Sequence, residues 1–206
     1  APDVYMDKIA IGPGYPRGAV DLDMTPEENV RSLAKAKGVS PNEITACILD
    51  RPRHKDLIAA CRRAGAAIRL ITDGDVACVI HVTQPEQTGV DLYLGTGGAP
   101  EGVLAAGALR CVGGQMQGRL ILDTPEKVAR AAKMGVKDPK KKYDMKELAS
   151  GDVIVCATGV TDGALLSGVK FNKDTIETET VIYRSITGTV RRIKAEHREF
   201  GKFKLD

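Results

Sequence analysis

The stretch VDLYLGTGGAPEGVLAAGALRC, from Val90 to Cys111, decides the fold class. Val90–Leu94 is a short apolar run without helical period, which reads as a buried strand. Gly95-Thr96-Gly97-Gly98 then forms a Gly-rich loop, and Pro100–Cys111 reads as an Ala-rich helix closed by Gly113-Gly114. A strand, a glycine loop and a helix in that order make one α/β unit. The unit repeats upstream. Thr25-Pro26-Glu27-Glu28 carries the marks of a capping box, and Val30, Leu33 and Ala34 give the following helix its apolar stripe up to Gly38. Ser40–Glu43 reads as a short capped turn and Ile44–Leu49 as a strand. Leu57, Ile58, Cys61 and Ala64 give the next helix its buried face, Ala67–Ile71 reads as a strand and Val76–Val82 as a helix.

Downstream, Arg119–Leu122 reads as a strand, Glu126–Met134 as a helix, Lys137–Lys146 as a solvated basic loop and Val153–Cys156 as a further buried strand. Ile176–Arg184 and Thr187–Ile193, rich in Thr, Ile and Val, read as antiparallel strands that finish the sheet. The expectation is a layered α/β fold with a mostly parallel sheet and added antiparallel strands near the C-terminus. Ligands in such folds bind beyond the carboxyl ends of the strands.

With 206 residues, 43% hydrophobic and 28% charged, the chain can bury a sizeable core. A net charge of +3, no Trp and 4% aromatics weigh against nucleic acid as a partner. No stretch approaches the roughly 20 apolar residues of a membrane span. The N-terminus does not read as a signal peptide, and its start at Ala1 without Met fits processing, an omitted segment or Met removal. The cysteines, Cys47, Cys61, Cys78, Cys111 and Cys156, are odd in number and form no C-x-x-C pair. This argues against a disulfide framework or zinc site and for a reducing, cytoplasmic setting.

Chemistry-bearing residues stand at consecutive strand ends. Arg51-Pro52-Arg53-His54 follows the first of these strands, and position favours phosphate binding by two guanidinium forks over a plain surface turn. Asp73-Gly74-Asp75 follows the second. Two carboxylates could accept sugar hydroxyls or hold a cation, but taken alone the helix-cap reading is the stronger. Glu101, behind the Gly loop, reads as a metal ligand or as a first-turn residue favoured by the helix dipole. Ala157–Gly163 reads as a further loop at the same sheet edge. His54, His81 and His197 form no cluster, and His81 reads as a packed core residue.

These segments, together with Ala1-Pro2-Asp3-Val4-Tyr5-Met6, Ala157–Thr161 and Thr189–Ile193, resemble the class II bacterial fructose-1,6-bisphosphatases, with the cyanobacterial fructose/sedoheptulose bisphosphatases in the same group. The resemblance implies the sandwich fold of the metal-dependent, lithium-sensitive sugar phosphatases. It implies Glu101 as ligand of a divalent metal, manganese or magnesium. It implies substrate contacts from Tyr5, Arg51, Pro52, Arg53, Asp73, Gly74, Asp75 and Gly98, and no catalytic residue in this chain. Family members carry an N-terminal half with Gly-Glu-Gly-Glu-type and Asp-Pro-x-Glu-Gly-Thr-type motifs, and neither motif occurs here. Residues 1–206 would then be the C-terminal domain. Its expected partners are a sugar bisphosphate, that N-terminal half and further copies in a homo-oligomer. The rival readings are a non-catalytic sugar-phosphate-binding domain and a Rossmann-type nucleotide enzyme. The second is weakened because Gly95–Gly98 lacks the acidic residue expected about 20 positions on.

Overall fold

The computed structural model describes residues 2–199 and 201. Ala1, where the resemblance begins, and residues 200 and 202–206 of the expected 1–206 domain lie outside the described residues. The elements are β1 (Tyr5–Ile11), α1 (Pro26–Lys37), β2 (Thr45–Leu49), α2 (Lys55–Arg63), β3 (Ala67–Ile71), α3 (Asp75–His81), α4 (Pro85–Thr88), β4 (Leu92–Gly98), α5 (Ala99–Val112), β5 (Gln115–Leu120), α6 (Pro125–Lys133), β6 (Lys142–Asp144), α7 (Met145–Leu148), β7 (Ile154–Thr158), β8 (Lys170–Phe171), β9 (Ile176–Arg184) and β10 (Thr189–His197). Local chemistry sets the helix ends. The Thr25–Glu28 capping box starts α1, and Gly38, left-handed at φ 76°, stops it.

The first sheet has the order β3-β2-β4-β1-β5-β6. It is mixed, which corrects the expectation of a mostly parallel sheet. β2 is parallel to β3 and to β4, whereas β1 is antiparallel to both of its neighbours, β4 and β5. The cause is β1 itself, Tyr5-Met6-Asp7-Lys8-Ile9-Ala10-Ile11, which no expectation marked as a strand. It inserts between two strands that run the other way.

Three more expectations change. The C-terminal strands do not finish this sheet. They form a second one, order β10-β9-β7 with β8 on β9, fully antiparallel. β7, expected as a further buried strand, belongs to this second sheet and alternates between exposed and half-buried residues. Part of the expected Lys137–Lys146 loop is the edge strand β6, followed by α7 with its own Asp144–Glu147 capping box. Part of the basic charge there is paired: Lys142 Nζ lies 2.5 Å from Asp21 and 2.6 Å from Asp23, and Lys141 Nζ lies 2.5 Å from Glu147.

Packing gives four layers. Ile9 and Ile11 of β1 meet Val30 and Leu33 of α1 and Cys61 of α2 on one face of the first sheet. Ala10 and Tyr93 on the other face meet Cys78 and Val79 of α3 and Ala105, Ala106 and Leu109 of α5. The far sides of α3 and α5, at Ile80, Ala108 and Cys111, meet Val181 and Tyr183 of the second sheet. This is why the α5 sequence is apolar all round: it has a sheet on each side. Gly107 permits the close approach, since a Cβ there would lie 3.2 Å from Val155. Among the described residues no helix is long and apolar enough to cross a membrane.

Cys47 of β2 and Cys78 of α3 are joined as a disulfide, 31 residues apart, while Cys61, Cys111 and Cys156 are free. This corrects the expectation of unpaired thiols. The two positions meet only because α3 packs over β2, which residue spacing does not reveal.

Candidate functional site

β2, β3 and β4 point the same way, so their carboxyl ends share one edge of the first sheet. α3 and α5 begin at that edge. β1 runs against β4 and starts there, with Tyr5 opposite Gly98. A residue far from the other candidates in sequence is thus brought to them by strand direction.

Arg53 sits in the short turn Pro52–His54 that leads into α2. Its Nε and Nη2 donate to the Thr96 carbonyl at 3.1 and 2.7 Å, and its guanidinium lies 4.9 Å from the centre of the Tyr5 ring. Cation and ring hold each other, while Tyr5 remains 50% exposed. His54 braces the same place from below. Its Nδ1 lies 2.7 Å from the Leu49 carbonyl, and its Nε2 accepts the Thr96 N–H at 2.8 Å. This pairing requires the neutral ring with its proton on Nδ1. Burial lowers the His54 pKa below its usual value, against the opposing pull of the Leu49 carbonyl. The Thr96 hydroxyl donates to Asp7 Oδ1 at 2.5 Å. Thr96 therefore ties together β1, β4 and the Arg53 turn.

Gly95–Gly98 is not a loop. It is the end of β4, paired residue by residue with Lys8 down to Tyr5. The glycines serve close approach instead. A Cβ on Gly95 would lie 3.3 Å from the His54 ring, and one on Gly97 would lie 2.3 Å from Asp75 Oδ2 and 3.0 Å from Lys8 Nζ. Asp75, first residue of α3, is buried and paired with Lys8, so it is more than a dipole-favoured side chain. Asp73 does not cap α3 either. The cap residue is Gly74, left-handed at φ 80°, and exposed Asp73 accepts the Gly74 N–H at 2.8 Å.

Gly98 caps α5, and Glu101 stands in its first turn. The Glu101 carboxylate folds back over Gly98: a Cβ on Gly98 would come within 1.9 Å of Oε2. Glu101 has no hydrogen-bond or ion-pair partner among the described residues. An unpartnered, exposed carboxylate at a helix start fits a hard divalent cation. Among the described residues no three His, Cys, Asp or Glu side chains converge as a metal site, so Glu101 would be one ligand of a set needing others.

The structure thus gathers Tyr5, Arg53, Asp75, Gly98 and Glu101, with Asp73 and Gly74 beside them. Arg51 and Pro52 stand apart, lining a shallow depression with Lys55, Ile58 and Leu70, and Arg51 Nη1 donates to the Asp50 carbonyl at 3.0 Å. Ala157–Gly163 begins within β7 of the second sheet and is not at this edge. His81 is buried in α3 as expected, with Nε2 3.0 Å from the Ala164 carbonyl.

The sequence profile described as "Bacterial fructose-1,6-bisphosphatase, glpX-encoded" matches residues 1–197. The chain belongs to this bacterial fructose-1,6-bisphosphatase family. It is 40% identical over 215 residues to the D-fructose 1,6-bisphosphatase class 2/sedoheptulose 1,7-bisphosphatase of Synechococcus sp. (strain JA-3-3Ab), covering 98% of this chain and 61% of that protein. The protein of the same name from Synechocystis sp. (strain ATCC 27184 / PCC 6803 / Kazusa) is 40% identical over 211 residues, covering 96% and 60%. The chain therefore spans about three fifths of the length of the curated bisphosphatases it matches.

Lys8, Asp7 and Thr96 stand at this edge but are not singled out by sequence reasoning, which marks His54 only as the end of the Arg51–His54 turn. One signal was available for Lys8: in Met6-Asp7-Lys8-Ile9-Ala10 it shares the face of Met6 and Ala10 by strand alternation, so a cation stands where the core should be. Nothing in the spacing points to Thr96 as a shared anchor.

Proposed function

We propose that this chain is the sugar-phosphate-gripping, C-terminal part of an enzyme that hydrolyses the 1-phosphate of fructose 1,6-bisphosphate, and of sedoheptulose 1,7-bisphosphate, with a divalent cation, manganese or magnesium. The observation that carries this is the meeting of Arg53, Tyr5, Asp75, Gly98 and Glu101 at one sheet edge in a chain related to bisphosphatases. Arg53, held by Thr96 and Tyr5, keeps donors for a phosphate oxygen, and Arg51 adds charge from the turn's other side. Asp75 and Asp73 accept sugar hydroxyls, which selects for a polyol carrying them. Glu101 holds a cation beside the helix start, where the N–H groups also favour the phosphate. When bound, the cation polarises the phosphoryl group. Its remaining ligands and the groups around the attacking water belong to the part of the relatives' length outside this chain. The four observed layers support the lithium-sensitive phosphatase sandwich; a cytoplasmic homo-oligomer rests on family membership alone, because Cys47 and Cys78 are paired.

The test is an assay with fructose 1,6-bisphosphate and manganese. The chain alone should give little or no turnover, and the full-length enzyme should be active. Glu101→Gln in the full-length enzyme keeps the shape and deletes the charge. It should raise the manganese concentration needed and cut turnover severely, with an unchanged melting temperature in the absence of metal. Robust turnover by the chain alone refutes the division of labour, and a parental manganese titration refutes Glu101 as a ligand.

A further inference from the structure

Lys8 lies mid-strand in β1 and is 1% exposed. A buried ammonium is costly unless it is paired and hydrogen-bonded. Its Nζ donates to Asp75 Oδ2 and, at 2.8 Å, to the Gly98 carbonyl. These partners belong to the first residue of α3 and the cap of α5, two helix N-termini whose dipoles disfavour a cation. The ammonium is tolerable there only because Asp75 neutralises it. Room is made by glycines: a Cβ on Gly102 would lie 3.2 Å from Lys8 Cδ, and one on Gly97 would lie 3.0 Å from Nζ. Lys8 occupies one carboxylate oxygen of Asp75. The other, Oδ1, makes no hydrogen bond among the described residues and is not among the buried unpaired atoms, while the side chain keeps 10% exposure. A carboxylate anchored through one oxygen presents the other in a fixed direction.

We propose that Lys8 is a positioning residue that locks Asp75 to the start of α5, so that Asp75 Oδ1 meets a substrate hydroxyl while the Gly98–Glu101 turn keeps its place beside it. The proposal rests on the sugar-phosphate reading of the site. Lys8 touches neither substrate nor cation. It sets the spacing between the residue that reads the sugar and the helix start that meets the phosphate and the cation.

A double-mutant cycle in the full-length enzyme tests it, with Lys8→Met, Asp75→Asn and both together. KM for fructose 1,6-bisphosphate, kcat and the thermal midpoint are measured for each at a temperature where it is folded. Each single variant should raise KM about tenfold or more, with a smaller change in kcat. The double variant should be no worse in KM than the poorer single one. Lys8→Met, which strands a buried carboxylate, should melt much lower than the parent. The double variant, with no charge left to strand, should recover most of that loss, so the cycle can be read even if Lys8→Met folds poorly. Additive effects on KM, or a folded Lys8→Met with parental KM, overturn the proposal. A parent enzyme that does not hydrolyse the substrate instead overturns the reading of the site itself.

Discussion

The two sheets differ in what their ends carry. In the first, β2, β3 and β4 run parallel and feed helices, so the N-termini of α3 and α5 open at the same edge as the strand ends. Tyr5, Arg53, Asp75, Gly98 and Glu101 stand at that edge or in the turn beside it. In the second, β9 and β10 form an antiparallel pair and β7 lies antiparallel to β9, so successive ends point to opposite sides. Its outer positions include Ile154 at 67% exposure and Phe171 at 78%. Chain direction, more than composition, decides where polar groups and helix dipoles accumulate. Parallel strands with crossover helices concentrate them, and hairpins disperse them.

The sharpest way to break this contrast is one methyl group in each region. Gly97→Ala puts a Cβ 2.3 Å from Asp75 Oδ2, so the Lys8–Asp75 pair must move. It should cost about 1–3 kcal/mol of stability, as overpacking does, and should abolish detectable binding of fructose 1,6-bisphosphate. Gly188→Ala, in the left-handed turn between β9 and β10 (φ 57°), should cost about 1–2 kcal/mol through backbone strain and leave binding intact. Melting curves and a substrate titration check both. If both variants lose binding, the two sheets are not functionally separate.

Acid should act next, through His54 at the site and His81 at the junction with the second sheet. Burial lowers both pKa values below 6.5. The unfolded chain then binds protons that the folded chain refuses. Stability from these groups is full above the unfolded value and is lost as pH falls through the depressed folded values. The urea midpoint should therefore drop between about pH 7 and about pH 5. His54→Asn should lower stability near neutrality, because the Thr96 N–H loses its acceptor, and should flatten that drop. A slope unchanged by the substitution would mean that His54 is not the buried neutral brace the structure describes.

Much of this arrangement is legible in the sequence. Each expected helix is present; α1, α5 and α6 carry first-turn prolines, and glycines stop α1 and α5, signals that act over a few residues. The Arg53, Asp75, Gly98 and Glu101 positions follow from strand ends and resemblance. What escaped is long-range. β1 mixes Tyr, Asp and Lys with apolar residues and reads as neither period, and without it the sheet's mixed direction and Lys8 are invisible. Gly95–Gly98 has the composition of a loop, yet pairing with β1 makes it strand. Cys47 and Cys78 meet through tertiary packing alone. That pairing gives a smaller test: in denaturant without reductant, three of the five cysteines should react with a thiol reagent. In the native state exposed Cys156 should react first, since burial pushes the Cys61 pKa up to about 11. Five reactive thiols in unreduced, denatured protein would return Cys47 and Cys78 to the unpaired state expected from their spacing.

The smallest effect is expected on the second sheet's outer face, and neighbouring residues of β7 measure it. Ile154 is exposed, whereas Val155 reaches inward against Gly107 of α5. Successive strand residues point to opposite faces, so replacement by Thr should have unequal consequences one position apart. Ile154→Thr removes methyl groups already in contact with water and should change stability by no more than about 0.5 kcal/mol. Val155→Thr keeps the shape but sets a hydroxyl against an apolar helix, which should cost about 1–3 kcal/mol. Neither should alter binding of fructose 1,6-bisphosphate by the folded protein, since β7 carries nothing to the other sheet's edge. Equal costs at the two positions would mean that the face carrying Ile154 is covered in solution. A loss of binding from either would mean that α5 transmits strain from the second sheet to Gly98 and Glu101.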